Sequence, residues 1–285
     1  MGINFSKLHG LGNDYIVIDE RKNKVVNEET KQDFARQICR RGFSVGADGV
    51  LYLSLNKADE LQMRIFNADG SEAETCGNGL RCAAYYHHGI DQRGEEEFTI
   101  NLPLANPVQA TVSVEAPPTA QVTLKMNETE NYEGKMKLEL EDSILHYHSV
   151  DVGNPHAVFF LAENEFLPQT LEELQLQKLG PQLQNHSRFQ ETGGINAEFV
   201  VTDRHENAEM RVHERGVGET SACGTGSIAV ARAIVATGRT EGWVEVSQPG
   251  GKLVIHPCEG KLSGAAEFVY QGELSDNYAP DPEEK

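Results

Sequence analysis

An internal repeat constrains the fold of this chain more than any other feature of its sequence. Cys-Gly-Asn-Gly at 76–79 and Cys-Gly-Thr-Gly at 223–226 each precede a run of small and apolar residues typical of a buried helix. A Gly-Asn pair stands before an apolar strand at 12–13 and again, after a nearly equal interval, at 153–154. Self-similarity of this kind indicates a repeated structural unit. The repeat therefore predicts two pseudo-symmetric domains that arose by internal duplication.

Chain length and a pair of prolines predict the domain boundary. At 285 residues the chain is long enough for two domains of ordinary size, each with its own core. The adjacent prolines at 117–118 cannot continue a central strand. We therefore expect an N-terminal half of residues 1–117, completed by a C-terminal strand at about 266–285, and a C-terminal half of residues 118–265.

Short strands outnumber helices along the chain. Helical spacing of apolar residues predicts helices at 28–40 and at 171–183, in addition to the two that follow Cys76 and Cys223. The predicted fold class is therefore α+β. Runs of β-branched and aromatic residues predict strands at 15–18, 50–53, 63–66, 157–160 and 197–201.

Charge and hydropathy exclude two classes of partner. The 25 basic and 44 acidic residues leave a formal net charge of -19, which repels nucleic-acid phosphates and anionic lipids. No apolar run approaches the ~18 residues that span a bilayer, and the first residues lack the apolar segment of a secretion signal. We expect a cytoplasmic protein that binds neither nucleic acid nor membrane.

The five cysteines predict reduced thiols rather than a disulfide framework, because their number is odd and they are widely spaced. No Cys-x-x-Cys pair occurs, so the usual spacing of a structural zinc site is missing. We expect no metal site.

Each Cys-Gly-x-Gly tetrapeptide places a thiol at the start of a helix. The first N–H groups of a helix are free and its dipole is positive there, which lowers a cysteine pKa toward neutrality. The glycines allow the same turn to approach and bind a carboxylate. Because the cleft between two domains is a common ligand site, we expect Cys76 and Cys223 to face one carbon from opposite sides. One thiolate would remove a proton and the other thiol would deliver one, which inverts a stereocentre without a cofactor.

Two other interpretations of these residues remain open. An isolated cysteine is more often a small buried apolar residue than a catalytic thiol. The pattern Gly224-x-Gly226-x-x-Ala229 also fits a loose dinucleotide fingerprint, although Cys223 immediately before it favours catalysis.

Five motifs that cover nearly the whole chain resemble those of the diaminopimelate epimerase family. The resemblance implies two similar domains, each a mostly antiparallel sheet wrapped around a central helix, with the active site in the cleft between them. It also implies an isomerase: a homodimeric enzyme that epimerises LL-2,6-diaminopimelate to the meso form without pyridoxal phosphate, in lysine and peptidoglycan precursor biosynthesis. The motifs are His9–Asp14, Asn67–Ser71, Cys76–Cys82, Gly153–His156 and Glu214–Gly226.

The resemblance also implies roles for individual residues. Cys76 and Cys223 match the catalytic pair, and His156 and Glu214 match residues that assist at the reacting centre. A guanidinium can hold a carboxylate by two hydrogen bonds, which suits Arg215 for the end of the substrate that does not react. The residues that match substrate-binding positions are Asn13, Asn67, Gly77, Asn78, Asn154, Asn196, Glu214, Arg215, Gly224 and Thr225.

Two alternative functions fit part of the same pattern. A racemase of proline, hydroxyproline or histidine would use the same thiol pair, but its substrate has no distal carboxylate for Arg215 to bind. A non-catalytic relative that only binds an amino acid would not need two intact Cys-Gly-x-Gly turns. Both alternatives make a small amino acid the partner of the protein.

Overall fold

The computed structural model describes residues 2–90, 92–125, 131–140, 143–203, 206–240 and 242–275. Its contacts divide the chain into two compact units. The first unit comprises residues 1–126 and 263–285, and the second comprises residues 127–262. No helix within the described ranges is long and apolar enough to cross a membrane.

Strands dominate both units. The strands are β1 (Ile3–Gly10), β2 (Asn13–Asp19), β3 (Gly49–Leu55), β4 (Leu61–Asn67), β5 (Glu72–Ala73), β6 (Gly94–Ile100), β7 (Val108–Ala116), β8 (Thr119–Lys125), β9 (Asn131–Leu140), β10 (Ser143–Asp151), β11 (Pro155–Phe160), β12 (Asn196–Thr202), β13 (Asn207–Glu214), β14 (Gly218–Thr220), β15 (Val244–Gln248), β16 (Gly251–His256) and β17 (Lys261–Leu274). The α-helices are α1 (Lys31–Ile38), α2 (Gly77–His88), α3 (Leu176–Gln184) and α4 (Gly224–Ala236).

In the first unit, a mostly antiparallel sheet packs around α2. β1 pairs antiparallel with β2 and β17, β3 pairs antiparallel with β4, and β6, β7 and β8 form an antiparallel meander. β2 and β3 are parallel. Leu80 and Ala84 of α2 lie in one core cluster with Leu51 of β3 and Val112 of β7. A helix surrounded in this way needs small and apolar residues on most of its faces. The run after Cys76 provides them, apart from polar residues such as the fully buried Arg81.

Strand β3 is buried on both faces, which explains its continuous apolar sequence. Leu51 and Leu53 join the cluster around α2, whereas Val50 and Tyr52 join a second cluster with Phe34 of α1. Successive side chains of a strand point to opposite faces. Both faces are therefore apolar, and the polar alternation of a half-exposed strand is missing.

The second unit is built around α4 in the same manner. β10 pairs antiparallel with β9 and β11, β11 is parallel to β12, and β13 pairs antiparallel with β12 and β14. β15 is parallel to β13 and antiparallel to β16. Ile228, Ala231 and Ile234 of α4 are buried, and Leu176 and Leu183 of α3 pack in a cluster with strand residues on the sheet.

One order of elements occurs in both units: a parallel strand pair, an antiparallel strand, a short strand and then the buried helix. The prediction of an α+β fold with mostly antiparallel sheets around helices is confirmed. The internal duplication stays a prediction.

The prolines at 117–118 form the turn between β7 and β8. β8 pairs with β7, and the N–H of Phe268 donates to the carbonyl of Pro118 over 2.9 Å. These contacts place the residues up to 126 in the first unit, whereas the sequence suggested a boundary after 117. β17 adds a C-terminal strand to the same unit, with Leu274 opposite Ile3, and the end of the predicted segment, 276–285, lies outside the described residues.

The helix predicted at 171–183 begins only at Leu176. The carbonyls of Leu171 and Leu174 accept hydrogen bonds from Nη1 of Arg211 at 2.5 and 2.9 Å. Both leucine side chains are buried in the core of the second unit. This segment therefore follows its contacts with β13 and the core rather than its own helical spacing. The helix predicted at 28–40 is a 3-10 turn, Glu28–Thr30, followed by α1.

Candidate active site

Cys76 is the N-cap residue of α2, with extended backbone angles and a carbonyl that accepts the N–H of Leu80 at 2.8 Å. Its Sγ lies 2.9 Å from Oη of Tyr15 and 4.0 Å from Oδ1 of Asn13. The thiol is partly buried, and a Cβ at Gly77 would meet no atom within 4 Å. The space beside the backbone of Gly77 is therefore open.

Asn13 and Asn78 lie together beside Cys76. Nδ2 of Asn78 donates to Oδ1 of Asn13 over 3.1 Å, and Nδ2 of Asn13 donates to Oδ2 of Asp48 over 2.8 Å. Because a carboxylate only accepts hydrogen bonds, the amide nitrogen of Asn13 must face Asp48 and its oxygen must face Tyr15 and Asn78.

Asn67 lies at the end of β4, opposite Gly49 in β3. Its Nδ2 donates to Oγ of Ser71 over 3.0 Å, and its side chain is exposed. The residue directly before Gly49 is Asp48, the partner of Asn13. The structure therefore places Asn67 at the end of the sheet where Asn13 lies, and within the described residues its amide is bonded to its own turn.

Cys223 is the N-cap residue of α4, and its Sγ accepts the N–H of Gly226 at 3.3 Å. Oγ1 of Thr225 lies 3.5 Å from the same sulfur. The side-chain oxygen of Gln248 accepts the backbone N–H of Cys223 at 2.7 Å. Only 5% of Cys223 is exposed. The Cys223 thiol is therefore buried, and hydrogen bonds fix both its sulfur and its backbone.

Burial raises the pKa of the Cys223 thiol well above its usual value, and the nearby carboxylates of Glu214 and Glu198 raise it further. Hydrogen bonds from Thr225 and from the N–H of Gly226 act in the opposite direction but are weaker. The sequence-based expectation that the helix terminus lowers this pKa is therefore wrong for Cys223. A thiolate loses more solvation in a buried site beside two negative charges than one helix N-terminus restores.

His156 and Glu198 are buried, and both contact neighbours close to the start of α4: Glu198 approaches Gly226, and His156 contacts Glu198 and the partly buried Asn154. Nδ1 of His156 lies 2.7 Å from Oε1 of Glu198, and its Nε2 lies 3.1 Å from Oδ1 of Asn154. A Cβ at Gly226 would come within 2.8 Å of the same glutamate oxygen. The second glycine of the Cys-Gly-x-Gly turn is therefore needed because Glu198 occupies the space of a side chain.

The second unit also brings Asn196, Glu214 and Arg215 together. Oδ1 of Asn196 accepts the backbone N–H of Arg215 at 3.0 Å. Nη1 of Arg215 donates to the carbonyl of Thr192 over 2.6 Å, and Thr220 donates its hydroxyl to Glu214. No carboxylate among the described residues forms an ion pair with Arg215, so its other N–H groups are free for one.

Tyr15 and Glu198 are site residues that sequence reasoning missed. Glu198 interrupts an apolar strand, and a charged residue in such a position is rarely buried without a purpose. Tyr15 gave no comparable signal, because an aromatic residue in an apolar strand is ordinary. In the part of the chain that the structure describes, no cluster of three or more His, Cys, Asp or Glu residues could hold a metal ion.

Known proteins resemble the chain in both sequence and fold. The family model described as "Diaminopimelate epimerase" matches residues 5–129 and 148–273. The diaminopimelate epimerase of Methanothermobacter thermautotrophicus is 38% identical over 95% of this chain and 98% of its own length. The diaminopimelate epimerase of Carboxydothermus hydrogenoformans is 33% identical over 94% of this chain and 98% of its own length.

A solved structure also shares this fold. The hydroxyproline epimerase of Agrobacterium vitis aligns with a TM-score of 0.69 over 99% of this chain and 94% of its own, at 14% identity. At this low identity the structural similarity indicates a shared fold alone. The sequence matches to the diaminopimelate epimerases are stronger and extend over nearly the full length of the chain. The chain belongs to the diaminopimelate epimerase family.

Proposed function

We propose that this protein interconverts LL- and meso-2,6-diaminopimelate by a two-base mechanism that needs no cofactor, with Cys76 and Cys223 as the two acid-base groups. The observation that carries the proposal is the equivalent place of the two cysteines, each the N-cap of the buried helix of its unit. Full-length similarity to enzymes named diaminopimelate epimerase supports the choice of substrate.

In the proposed reaction the thiolate of one cysteine takes the proton from the α-carbon. The electron pair left on that carbon delocalises into the neighbouring carboxylate. The thiol of the other cysteine then donates its proton to the opposite face of the carbon. The configuration is inverted, and the negative charge has moved from the first sulfur to the second. No electron is transferred to or from an external group.

The free N–H groups at the start of each helix would stabilise the charge that develops on the carboxylate. Those groups belong to Gly77 and Asn78 in one unit and to Gly224 and Thr225 in the other. Donors that are already aligned cost no reorganisation during the reaction, so they favour the transition state over the bound substrate.

The raised pKa of Cys223 keeps this residue protonated in the free protein near neutral pH. We therefore propose that, when a substrate isomer binds the enzyme with Cys223 protonated, Cys223 donates its proton to the α-carbon of that isomer. Glu214 acts through its charge near Cys223, and His156 acts through its contact with Glu198, whose charge also raises the pKa of Cys223.

The distal end of diaminopimelate carries a second carboxylate and ammonium group. We propose that Arg215 binds this carboxylate, and that amide groups of Asn13, Asn67, Asn154 and Asn196 bind the charged ends of the substrate. An amide can both donate to a carboxylate and accept from an ammonium. The free donors of Arg215 support this role.

We further propose that the enzyme acts in the cytoplasm as a homodimer. Its chemistry requires reduced thiols, which a reducing compartment maintains. A light-scattering mass of the purified protein tests the oligomeric state.

Incubation of the purified protein with LL-diaminopimelate in D2O, without added cofactor, tests the reaction. Early in the time course we expect meso-diaminopimelate with deuterium at the inverted carbon, while the remaining LL isomer stays protiated. Deuterium in both isomers from the start would instead indicate a single base. A parallel incubation with proline, hydroxyproline and histidine tests the racemase alternative, and inversion of one of them without reaction of diaminopimelate would make that alternative correct.

A further inference from the structure

We propose that the hydroxyl of Tyr15 is a switchable hydrogen-bond partner of Cys76, accepting from the thiol and donating to the thiolate. The inference deepens the proposed function, since it assumes that Cys76 changes its protonation state during the reaction. Oη of Tyr15 lies 2.9 Å from the sulfur of Cys76 and 2.7 Å from Oδ1 of Asn13. A phenolic hydroxyl has one proton to donate and can accept at its lone pairs, and rotation about its C–O bond redirects the proton.

The two states of Cys76 call for two orientations of that hydroxyl. When Cys76 is a thiol, its S–H donates to Oη and the Tyr15 hydroxyl donates to Oδ1 of Asn13. When Cys76 is a thiolate, the hydroxyl rotates and donates to the sulfur instead. One rotation of an O–H bond, without movement of the ring, serves both states.

The contacts of Asn13 keep the free-energy cost of this hydroxyl rotation small. Its Oδ1 also accepts from Nδ2 of Asn78 at 3.1 Å, so this oxygen keeps a partner when the hydroxyl turns away. The orientation of Asn78 is in turn held by Nη2 of Arg81, which donates to its Oδ1 over 2.9 Å. This partly buried acceptor therefore has a hydrogen bond in either state, which avoids the cost of an unsatisfied group.

The ring of Tyr15 lies beside two glycines whose missing side chains leave room for it. A Cβ at Gly49 would lie 3.2 Å from Cε1 of the ring, and a Cβ at Gly79 would lie 3.6 Å from Cζ. Only 5% of the residue is exposed. Burial, with the adjacent Cys76 as the next cause, also raises the pKa of Tyr15 well above its usual value, so the hydroxyl retains its proton.

Tyr15→Phe removes the hydroxyl and keeps the ring between the two glycines, so we expect a folded protein. The matched control is Tyr52→Phe, because Tyr52 is a buried tyrosine of the same unit whose hydroxyl has no hydrogen-bond partner among the described residues. We expect Tyr15→Phe to lower kcat by about 10-fold, the effect of losing one hydrogen bond to a charged group, with KM changed little. Tyr52→Phe should leave both constants near those of the unsubstituted protein.

The second readout does not depend on activity. We expect iodoacetamide to alkylate Cys76 several-fold more slowly in Tyr15→Phe than in Tyr52→Phe at pH 7.5, as measured by peptide mass spectrometry, because the thiolate has lost its donor. An unchanged or faster rate would overturn the inference even if kcat falls, since a purely structural role would not slow this reaction. If alkylation slows but the unsubstituted protein fails to epimerise diaminopimelate, the Tyr15 contact is supported and the proposed substrate is wrong.

Discussion

Nδ1 of His156 and Oε1 of Glu198 lie 2.7 Å apart, and neither side chain has any solvent-exposed surface. The carboxylate accepts a hydrogen bond from the N–H at Nδ1, and Nε2 of the same ring faces Oδ1 of Asn154. The pair therefore fixes the orientation of the His156 ring, and it places the negative charge of Glu198 beside the start of α4.

Glu198→Gln should lower kcat by about 10-fold or more while the protein remains folded, since an amide of the same shape replaces the charge. Glu163→Gln is the control, because Glu163 also contacts a buried histidine of this unit, with Oε2 at 3.1 Å from Nε2 of His148. Steady-state kinetics at neutral pH compare the two variants. Equal activities would mean that the Glu198 charge has no role in the reaction.

Cys76→Ala and Cys223→Ala should each reduce epimerisation by at least about 100-fold, because either change removes the acid-base group on one face of the carbon. Cys39→Ala and Cys258→Ala are the controls. Neither Cys39 nor Cys258 is an N-cap of a buried helix. The two control variants should therefore retain epimerase activity. Formation of meso-diaminopimelate, followed by chiral chromatography, measures the effect. More than about a tenth of the original turnover in either catalytic variant would contradict the two-base assignment.

Arg215→Met should lower kcat/KM for diaminopimelate by at least about 10-fold, since a charge-assisted hydrogen bond lost in a closed site costs roughly 1.5–3 kcal/mol. Arg188→Met provides the control, because Arg188 is an exposed arginine of the same unit that donates to Tyr147. If both variants have the kinetics of the unsubstituted protein, then the distal carboxylate is bound elsewhere.

Gly226→Ala and Gly224→Ala form a matched pair in the first turn of α4. A Cβ at 226 would meet Glu198 Oε1 at 2.8 Å and Cys223 Sγ at 3.3 Å, whereas a Cβ at 224 would meet no atom within 4 Å. We expect Gly226→Ala to lower the free energy of unfolding by about 1–3 kcal/mol through overpacking, and Gly224→Ala to leave it unchanged or raise it by up to ~1 kcal/mol. Urea titrations measure both, and equal stabilities would show that Glu198 moves aside freely.

Acid should destabilise the second unit through Glu163. Burial alone would raise the pKa of this carboxyl, but hydrogen bonds from Lys135 and Arg239 outweigh it and lower the pKa from 4.5 to about 2. Because the folded-state pKa lies below the unfolded value, the stabilisation is complete above about pH 5 and is lost as the pH falls toward 2. The free energy of unfolding should therefore decline over this range less steeply in Glu163→Gln than in the unsubstituted protein. Parallel slopes would show that Glu163 does not contribute.

Local sequence determined the features that depend on neighbours along the chain. The helices after Cys76 and Cys223 begin where predicted, because an N-cap and the small residues that follow it act within a few positions. The apolar runs around Val50 and Val158 form strands as expected. The motifs that identified the family lie in these same short segments.

Tertiary structure decided what depends on residues that are distant in the chain. Tyr15 meets Cys76 because β2 and α2 pack together, and Glu198 meets His156 because β11 and β12 pair in parallel register. The helix predicted from 171 starts late because Arg211 binds the carbonyls of Leu171 and Leu174. The pKa of Cys223 is raised instead of lowered because burial and two carboxylates, brought near by other elements, outweigh the helix terminus. Solvent exclusion and the proximity of charges are properties of the folded chain. Local sequence patterns could therefore not predict the direction of this pKa shift.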